Sequence, residues 1–193
     1  MTGIAEMLSK NYEVHLSDES TARLNDVLVQ KEYRKDEIIL HQGEICRDVY
    51  IIGQGMARQF YYKDGRDITE HFSCENEVVF CIETLFLKEP TKLIMETVEP
   101  SVIYHLNYEK FQHLCDSYTD INQLYRRIFE LDLVVSQRKA DSWRFESSRE
   151  RYERFCKEYP EANKRASIAH IATYLLMTPE TLSRVRAGIT SKI

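Results

Sequence analysis

The chain has no run of apolar residues long enough to cross a bilayer, and Met1 to Lys10 lacks a charged start leading into an apolar stretch. Neither a spanning helix nor a secretory signal is expected, and the cytoplasm is the expected location. The five cysteines, Cys46, Cys74, Cys81, Cys115 and Cys156, are an odd number, and no two are separated by just two residues. That pattern builds neither a zinc site nor a disulfide framework, and the thiols read as small buried hydrophobes. The six histidines, His15, His41, His71, His105, His113 and His170, are scattered. A metal or haem role for His71 or Cys74 has no second ligand to support it, so no metal or cofactor is expected. No nucleophile has a base nearby, so an enzyme is not expected either. Internal repeats and low-complexity linkers are absent as well.

What remains is a chain of 193 residues, 43% hydrophobic, enough for one large domain or two small ones with a proper core. The net charge of −5 is unevenly spread. From Ser136 onward there are 12 Lys and Arg against 7 Asp and Glu, whereas the preceding part holds 14 against 24. Binding to a polyanion is therefore expected through the C-terminal third alone.

A polar helix is expected over Asp18 to Leu28, and then short strands punctuated by glycine from about Tyr33 to Asn107. Glu37 to His41 and Val49 to Ile52 read as strands on either side of a Gly43-Glu44 turn. Met56 to Tyr62 and Asp67 to Phe72 flank Asp64-Gly65, the strongest hairpin signal in the chain. Lys92 to Val98 and Ser101 to Leu106, on either side of Glu99-Pro100, read as another strand pair. Many short strands of this kind close into a roll or barrel.

Asn107 is placed to cap a helix whose Phe111, Leu114, Cys115 and Tyr118 face one way. Thr119 or Asp120 then starts the longest helical pattern, since no glycine or proline interrupts Ile121 through Arg151. Ile121, Leu124, Ile128, Leu131 and Val135 recur at spacings of three, four, three and four, the seam of a two-stranded coiled coil. Either the helix packs on its own domain, or Tyr125, Phe129 and Leu133 do so and the seam meets a second copy; the homodimer is the favoured reading. Ser147 and Glu150 have capping-box spacing, which ends the long helix near Phe145 and leaves Ser142 to Ser148 as the hinge, if there is one. Tyr152, Phe155, Cys156 and Tyr159 form the inward face of the following helix, and Pro160 stops it.

In Lys164 to Ile193, two short amphipathic helices follow one another. Ser167 caps the first, where Ile168, Ile171, Ala172 and Leu175 share a face. Thr178 caps the second and Pro179 occupies its first position, with Leu182 and Val185 inward. Glu180, Thr181, Ser183 and Arg184 are left outside, near its N-terminal part. Arg184 suits guanine O6 and N7, Glu180 suits cytosine N4, and Ser183 serves a base or a phosphate. A helical hairpin that merely closes a core has the same outline, and Leu176 in the turn, where glycine would adopt positive φ more readily, speaks for it.

A β roll, a long dimerising helix and a C-terminal helix-turn-helix, in that order, resemble the Crp/Fnr family of bacterial transcription regulators across essentially the whole chain. Gly43-Glu44 followed by Val49-Tyr-Ile-Ile-Gly-Gln-Gly55 is similar to the family's strand-turn signature. Glu180, Ser183 and Arg184 match the E-x-x-S-R pattern of the Fnr branch. Leu175 to Arg184 resembles the compact Bacteroidetes-type members. The resemblance implies an α+β chain: a double-stranded β-helix, jelly-roll-like cyclic-nucleotide-type sensing domain over 1–118, a dimerisation helix over 119–145 and a helix-turn-helix DNA-binding domain over 146–193. It implies a homodimer on a palindromic operator in double-stranded DNA, with RNA polymerase as a partner if the protein activates. Thr178, Pro179, Glu180, Thr181, Ser183 and Arg184 would contact DNA, together with Lys164, Arg165 and Arg186. An unidentified effector would meet Phe80, Glu83, Thr84, Leu85 and Lys92.

Departures from the family pattern bear on the effector. Phe80 to Leu93 lacks the arginine that holds a cyclic phosphate, and Lys92 cannot reproduce its planar two-donor fork, which speaks against cyclic AMP. No cysteine precedes Cys46, which speaks against an iron-sulfur cluster. The chain stops about seven residues beyond Arg186, too few for the usual β wing. The alternative expectation is a ligand-binding regulatory module whose helical C-terminus contacts a protein and no longer binds DNA.

Overall fold

The computed structural model describes residues 3–188. The chain opens with two short helices, α1 (Ile4–Asn11) and α2 (Asp18–Asp26). The second is capped by Ser17, whose side chain accepts from the Ser20 N–H. Eight strands follow: β1 (Leu28–Tyr33), β2 (Ile38–Leu40), β3 (Asp48–Gln54), β4 (Ala57–Lys63), β5 (Arg66–Ser73), β6 (Val78–Val79), β7 (Ile94–Thr97) and β8 (Ser101–Asn107). A helical turn, α3 (Ile82–Leu87), interrupts them between β6 and β7.

The strands form two four-stranded sheets in the orders β1-β8-β3-β6 and β2-β7-β4-β5. Every pairing is antiparallel. Only β4 and β5 are sequential partners, and their link is the expected hairpin: Lys63 faces Arg66, and Asp64 and Gly65 both have positive φ, 52° and 74°. Every other connection between successive strands carries the chain from one sheet to the other, which makes the roll. The strand pair expected around Glu99-Pro100 is therefore not a pair. β7 and β8 belong to opposite sheets, and the turn between them is a corner. Gly55 serves a similar corner at φ 87°, where a β-carbon would stand 2.7 Å from the Pro100 carbonyl oxygen.

The helical part begins with α4 (Tyr108–Ser117), capped as expected by Asn107, whose side chain accepts from the Lys110 N–H. Next comes α5 (Thr119–Phe145), 27 residues and so roughly 40 Å long. The capping box of Ser147 and Glu150 starts α6 (Ser148–Glu158). Then follow α7 (Pro160–Arg165), α8 (Ile168–Tyr174) and α9 (Pro179–Arg186).

Three apolar clusters hold these elements. One lies inside the roll around Tyr50, Ile52, Met95 and Ile103. A second joins α1, α2, α4 and α5 to one end of the roll, around Leu8, Leu24, Phe111 and Leu106. Ile121, Leu124 and Ile128 of α5 belong to it and are 0%, 0% and 4% exposed. The seam expected to await a second copy is thus closed over its first half by the chain's own core, while Leu133, expected to bind the roll, is 70% exposed. The difference arises because α4 turns back on α5 and offers those residues Phe111 and Cys115 as neighbours. Leu131 is half-buried and Val135 exposed.

The third cluster combines Met56, Phe72 and Cys74 of the roll with Phe155, Tyr159, Ala162, Ile171, Tyr174 and Leu182 of the C-terminal helices. The expected inward face of α6 is realised in Phe155 and Tyr159. Ile168, expected on the inward face of α8, is 45% exposed, because the helix turns Ile171, Ala172 and Tyr174 toward the roll.

Candidate functional site

Two places gather chemistry: the outer face of α9 and the space between the roll and α5. At the first, Ser167 accepts from the His170 N–H and Thr178 from the Thr181 N–H, so both helices begin where the cap residues direct. Leu182 is fully buried and fixes the rotation of α9. Glu180, Ser183 and Arg184 are consequently exposed, with Thr181 half-buried beside them and Thr178 and Pro179 exposed at the helix start. Among the described residues Arg184 makes only a long contact, 3.4 Å, with the Thr181 hydroxyl. The turn between α8 and α9 is built with Leu176 itself at φ 53°. The described residues end just past α9, and the expected shortfall of a wing falls on residues 189–193, outside them.

The three basic residues expected at phosphates differ in their commitments. Lys164 is exposed and pairs with Glu161 at 2.7 Å across one helical turn. Arg186 donates to Asn163 Oδ1 at 3.1 Å and lies over the Tyr152 ring. Arg165 is not free. Its Nη1 and Nη2 bind the two oxygens of Glu75 at 2.9 and 2.7 Å, and Nη1 also reaches Glu99 at 2.6 Å. A guanidinium clamped this way is turned to the roll, where the chain's corners after β5 and β7 present carboxylates to the end of α7. The contact holds the Glu75 carboxyl below its usual range.

Further contacts seat α8 on β5. The Thr69 N–H donates to Thr173 Oγ1 at 3.1 Å. Thr69 Oγ1 in turn accepts from buried Arg58, which also binds Asp67 at 2.9 Å and Glu96 at 2.7 Å. Burial and the nearby Arg58 lower the pKa of His170 on α8.

The second place is a cavity of about 610 Å3 bounded by β4, β5, β6, α3 and the middle of α5. Of the residues expected around an effector, Phe80, Glu83 and Lys92 line it. Thr84 and Leu85 do not. They lie on the inner side of α3, Thr84 donating to the Cys81 carbonyl at 2.9 Å and Leu85 packing with the helical core. The sequence pattern marks no helix here, and one helical turn is what puts neighbours on opposite sides.

The cavity's other face was missed. Gln59 and Tyr61 line it from β4, Glu70 and His71 from β5, and Asp132, Ser136 and Lys139 from α5. A signal existed: Asp132, Ser136 and Lys139 follow one another at spacings of four and three, a polar stripe on one side of a helix. Lys139 Nζ binds Glu70 Oε1 at 2.6 Å and also donates to the Glu70 carbonyl oxygen. It lies 4.7 Å from the ring centre of Trp143 and 5.2 Å from that of Tyr174 on α8. Burial, with Lys139 adding to it, pushes His71 down to about 4, and its ring meets Tyr159 edge to face. The same wall of the cavity therefore touches the C-terminal helices twice. Among the described residues no His, Cys, Asp and Glu cluster could hold a metal ion, and no helix is long and apolar enough to cross a membrane.

Residues 30–118 match the family described as cyclic nucleotide-binding domain. No curated protein matches the chain in sequence. Among solved structures, FixK2 from Bradyrhizobium japonicum is similar with a TM-score of 0.71 and 20% identity, over 84% of this chain and 84% of its own. CLP of Xanthomonas campestris, a c-di-GMP responsive global regulator, superimposes with a TM-score of 0.69 at 17% identity over 90% of this chain and 91% of its own. The Thermus thermophilus catabolite activator protein follows with a TM-score of 0.59 and 17% identity, over 95% of this chain and 86% of its own. At such identities the likeness is one of fold. Residues 30–118 thus resemble the cyclic nucleotide-binding domain family, and the chain shares its fold with FixK2, CLP and the catabolite activator protein.

Proposed function

We propose that the protein is a homodimeric, sequence-specific DNA-binding transcription regulator of the Crp/Fnr type, acting in the cytoplasm on a palindromic operator. The observation that carries this reading is the outer face of α9: Glu180, Ser183 and Arg184 stand exposed on a capped helix whose rotation is fixed by fully buried Leu182. In a two-fold pair, two such helices enter successive major grooves about 34 Å apart. Lys164 and Arg186 serve phosphates, and Arg165 serves the junction with the roll. The second copy covers the part of α5 that the chain leaves open, where Leu133 and Val134 are exposed and Leu131 and Val135 continue the heptad spacing. RNA polymerase is a further partner if the outcome is activation.

The effector site of this reading is the cavity between the roll and α5. An occupant there meets the Glu70–Lys139 pair, and through Lys139 and His71 it meets Tyr174 and Tyr159. Binding that favours one arrangement of these contacts shifts α8 relative to β5, and with it the spacing of the two readers. Selection of bound sites from random duplex DNA tests the function: an enriched palindrome is expected, and its absence overturns the assignment.

A second reading is favoured by the clamp on Arg165: the helical end is a protein-contacting tail with no DNA affinity. It predicts no salt-dependent binding to generic duplex DNA, whereas the first predicts binding with a steep counterion-release slope.

A further inference from the structure

The cavity has an annex. A smaller space of about 290 Å3 adjoins it, and the two share His71, Val78, Phe80, Asp132 and Val135 in their walls. Asp132 is the residue to ask about, because every other ionisable group there has an evident role or lies to one side. Glu70 and Lys139 satisfy one another. Glu77, the other carboxylate of the annex, accepts from the Cys74 N–H at 2.8 Å. Glu83 and Lys92 line the larger space alone, and among the described residues no arginine lines either. The His71 ring is neutral near pH 7.

Asp132 is half-buried, and burial is the sole influence on its carboxyl; no cation or hydrogen-bond donor among the described residues offsets it. A carboxylate drawn out of water with nothing donating to it is costly, and the cost is removed by a ligand that brings a positive donor. Around it the shared wall is apolar and aromatic: Val78, Phe80 and Val135, with Tyr12 closing the annex. The combined size suits a small molecule.

We infer that these joined cavities hold a small organic cation, with an ammonium or amidinium head on the Asp132 carboxylate and an apolar or aromatic body along Val78, Phe80 and Val135. A phosphate or other anion in the same place would face the Asp132 carboxylate, and the lysines of the larger space offer it little, since Lys139 is held by Glu70 and Lys92 lies outside the annex. The inference rests on the cavity being the effector site, as proposed above.

Calorimetric titration of the full chain tests it without DNA, so failure of this inference and failure of the DNA-binding reading are separate results. The probes are phenethylammonium, its anionic counterpart of similar size 3-phenylpropionate, and cyclic AMP. Phenethylammonium is expected to bind at least about tenfold more tightly than either anion. Asp132→Asn is expected to weaken it about tenfold, the loss of one charge-assisted contact, with no lowering of the melting temperature of the free protein. Absence of phenethylammonium binding, anion binding of equal strength, or unchanged affinity in Asp132→Asn overturns the inference. The contrast between probes on the unaltered chain decides the matter even if the variant folds poorly.

Discussion

Leu176 holds a left-handed backbone conformation in the link between α8 and α9, which costs an ordinary side chain roughly 1–2 kcal/mol. Its side chain is exposed, so Leu176→Gly forfeits little packing, and the greater freedom of glycine in the unfolded chain returns part of the gain. A net stabilisation of about 0.5 kcal/mol is expected, read as a melting temperature higher by roughly 1–2 °C. Arg165→Ala works the other way. It leaves Glu75 and Glu99 facing one another at the roll, and a loss of about 1–3 kcal/mol in denaturant unfolding is expected. Arg184→Ala should instead leave folding alone and cost about 1–3 kcal/mol of operator binding at one base position, measured by competition with single-base variants. Side chains on α9 were legible from sequence because caps and a single buried leucine determine which way a short helix faces. The partners of Arg165 were not, since they come from corners 66 and 90 residues away.

Among the elements, α5 carries the sharpest contrast. Its first half is core and its second half is open, so equivalent insults should have different consequences. Ile128→Ala is expected to lower folding stability by about 2–4 kcal/mol. Leu133→Asp is expected to leave the unfolding midpoint of dilute protein nearly unchanged while shifting sedimentation from dimer to monomer. A dimer that survives Leu133→Asp places the interface elsewhere. The heptad spacing in the sequence reported a stripe correctly but could not say which surface would claim it, because a helix packing on its own domain and a coiled coil use the same period. Strand existence was legible in the same way, through alternation and the Asp64-Gly65 turn. Sheet membership was not: a proline corner and a hairpin both read as a break between two strands, and β7 and β8 fell on the wrong side of that ambiguity. β1 escaped notice because its residues are mostly exposed and show no alternation.

For the molecule as a whole, pH is the most direct probe of how the roll, α5 and the C-terminal helices depend on one another. His71 is depressed to about 4, chiefly by burial, so the unfolded chain binds a proton there that the folded chain refuses. Stability is therefore complete above about pH 6.5 and falls as the pH drops toward 4, by about 3 kcal/mol from this group. The Glu75 carboxyl, held low by Arg165, acts in the same direction, its contribution lost below the ordinary carboxylate range. Urea midpoints between pH 7 and 4.5 should show the decline, and His71→Gln should flatten its upper part. A decline unchanged in His71→Gln would assign it to another group, foremost His170, the other imidazole that burial depresses.

Phe72 and Met56 of the roll lie in the same cluster as Tyr174 and Leu182. Cutting the backbone near Ser147 would therefore not liberate an autonomously folded C-terminal fragment, because the excised piece would leave part of its floor behind. Heating should produce one calorimetric endotherm for the protomer, and limited proteolysis should yield no long-lived C-terminal product.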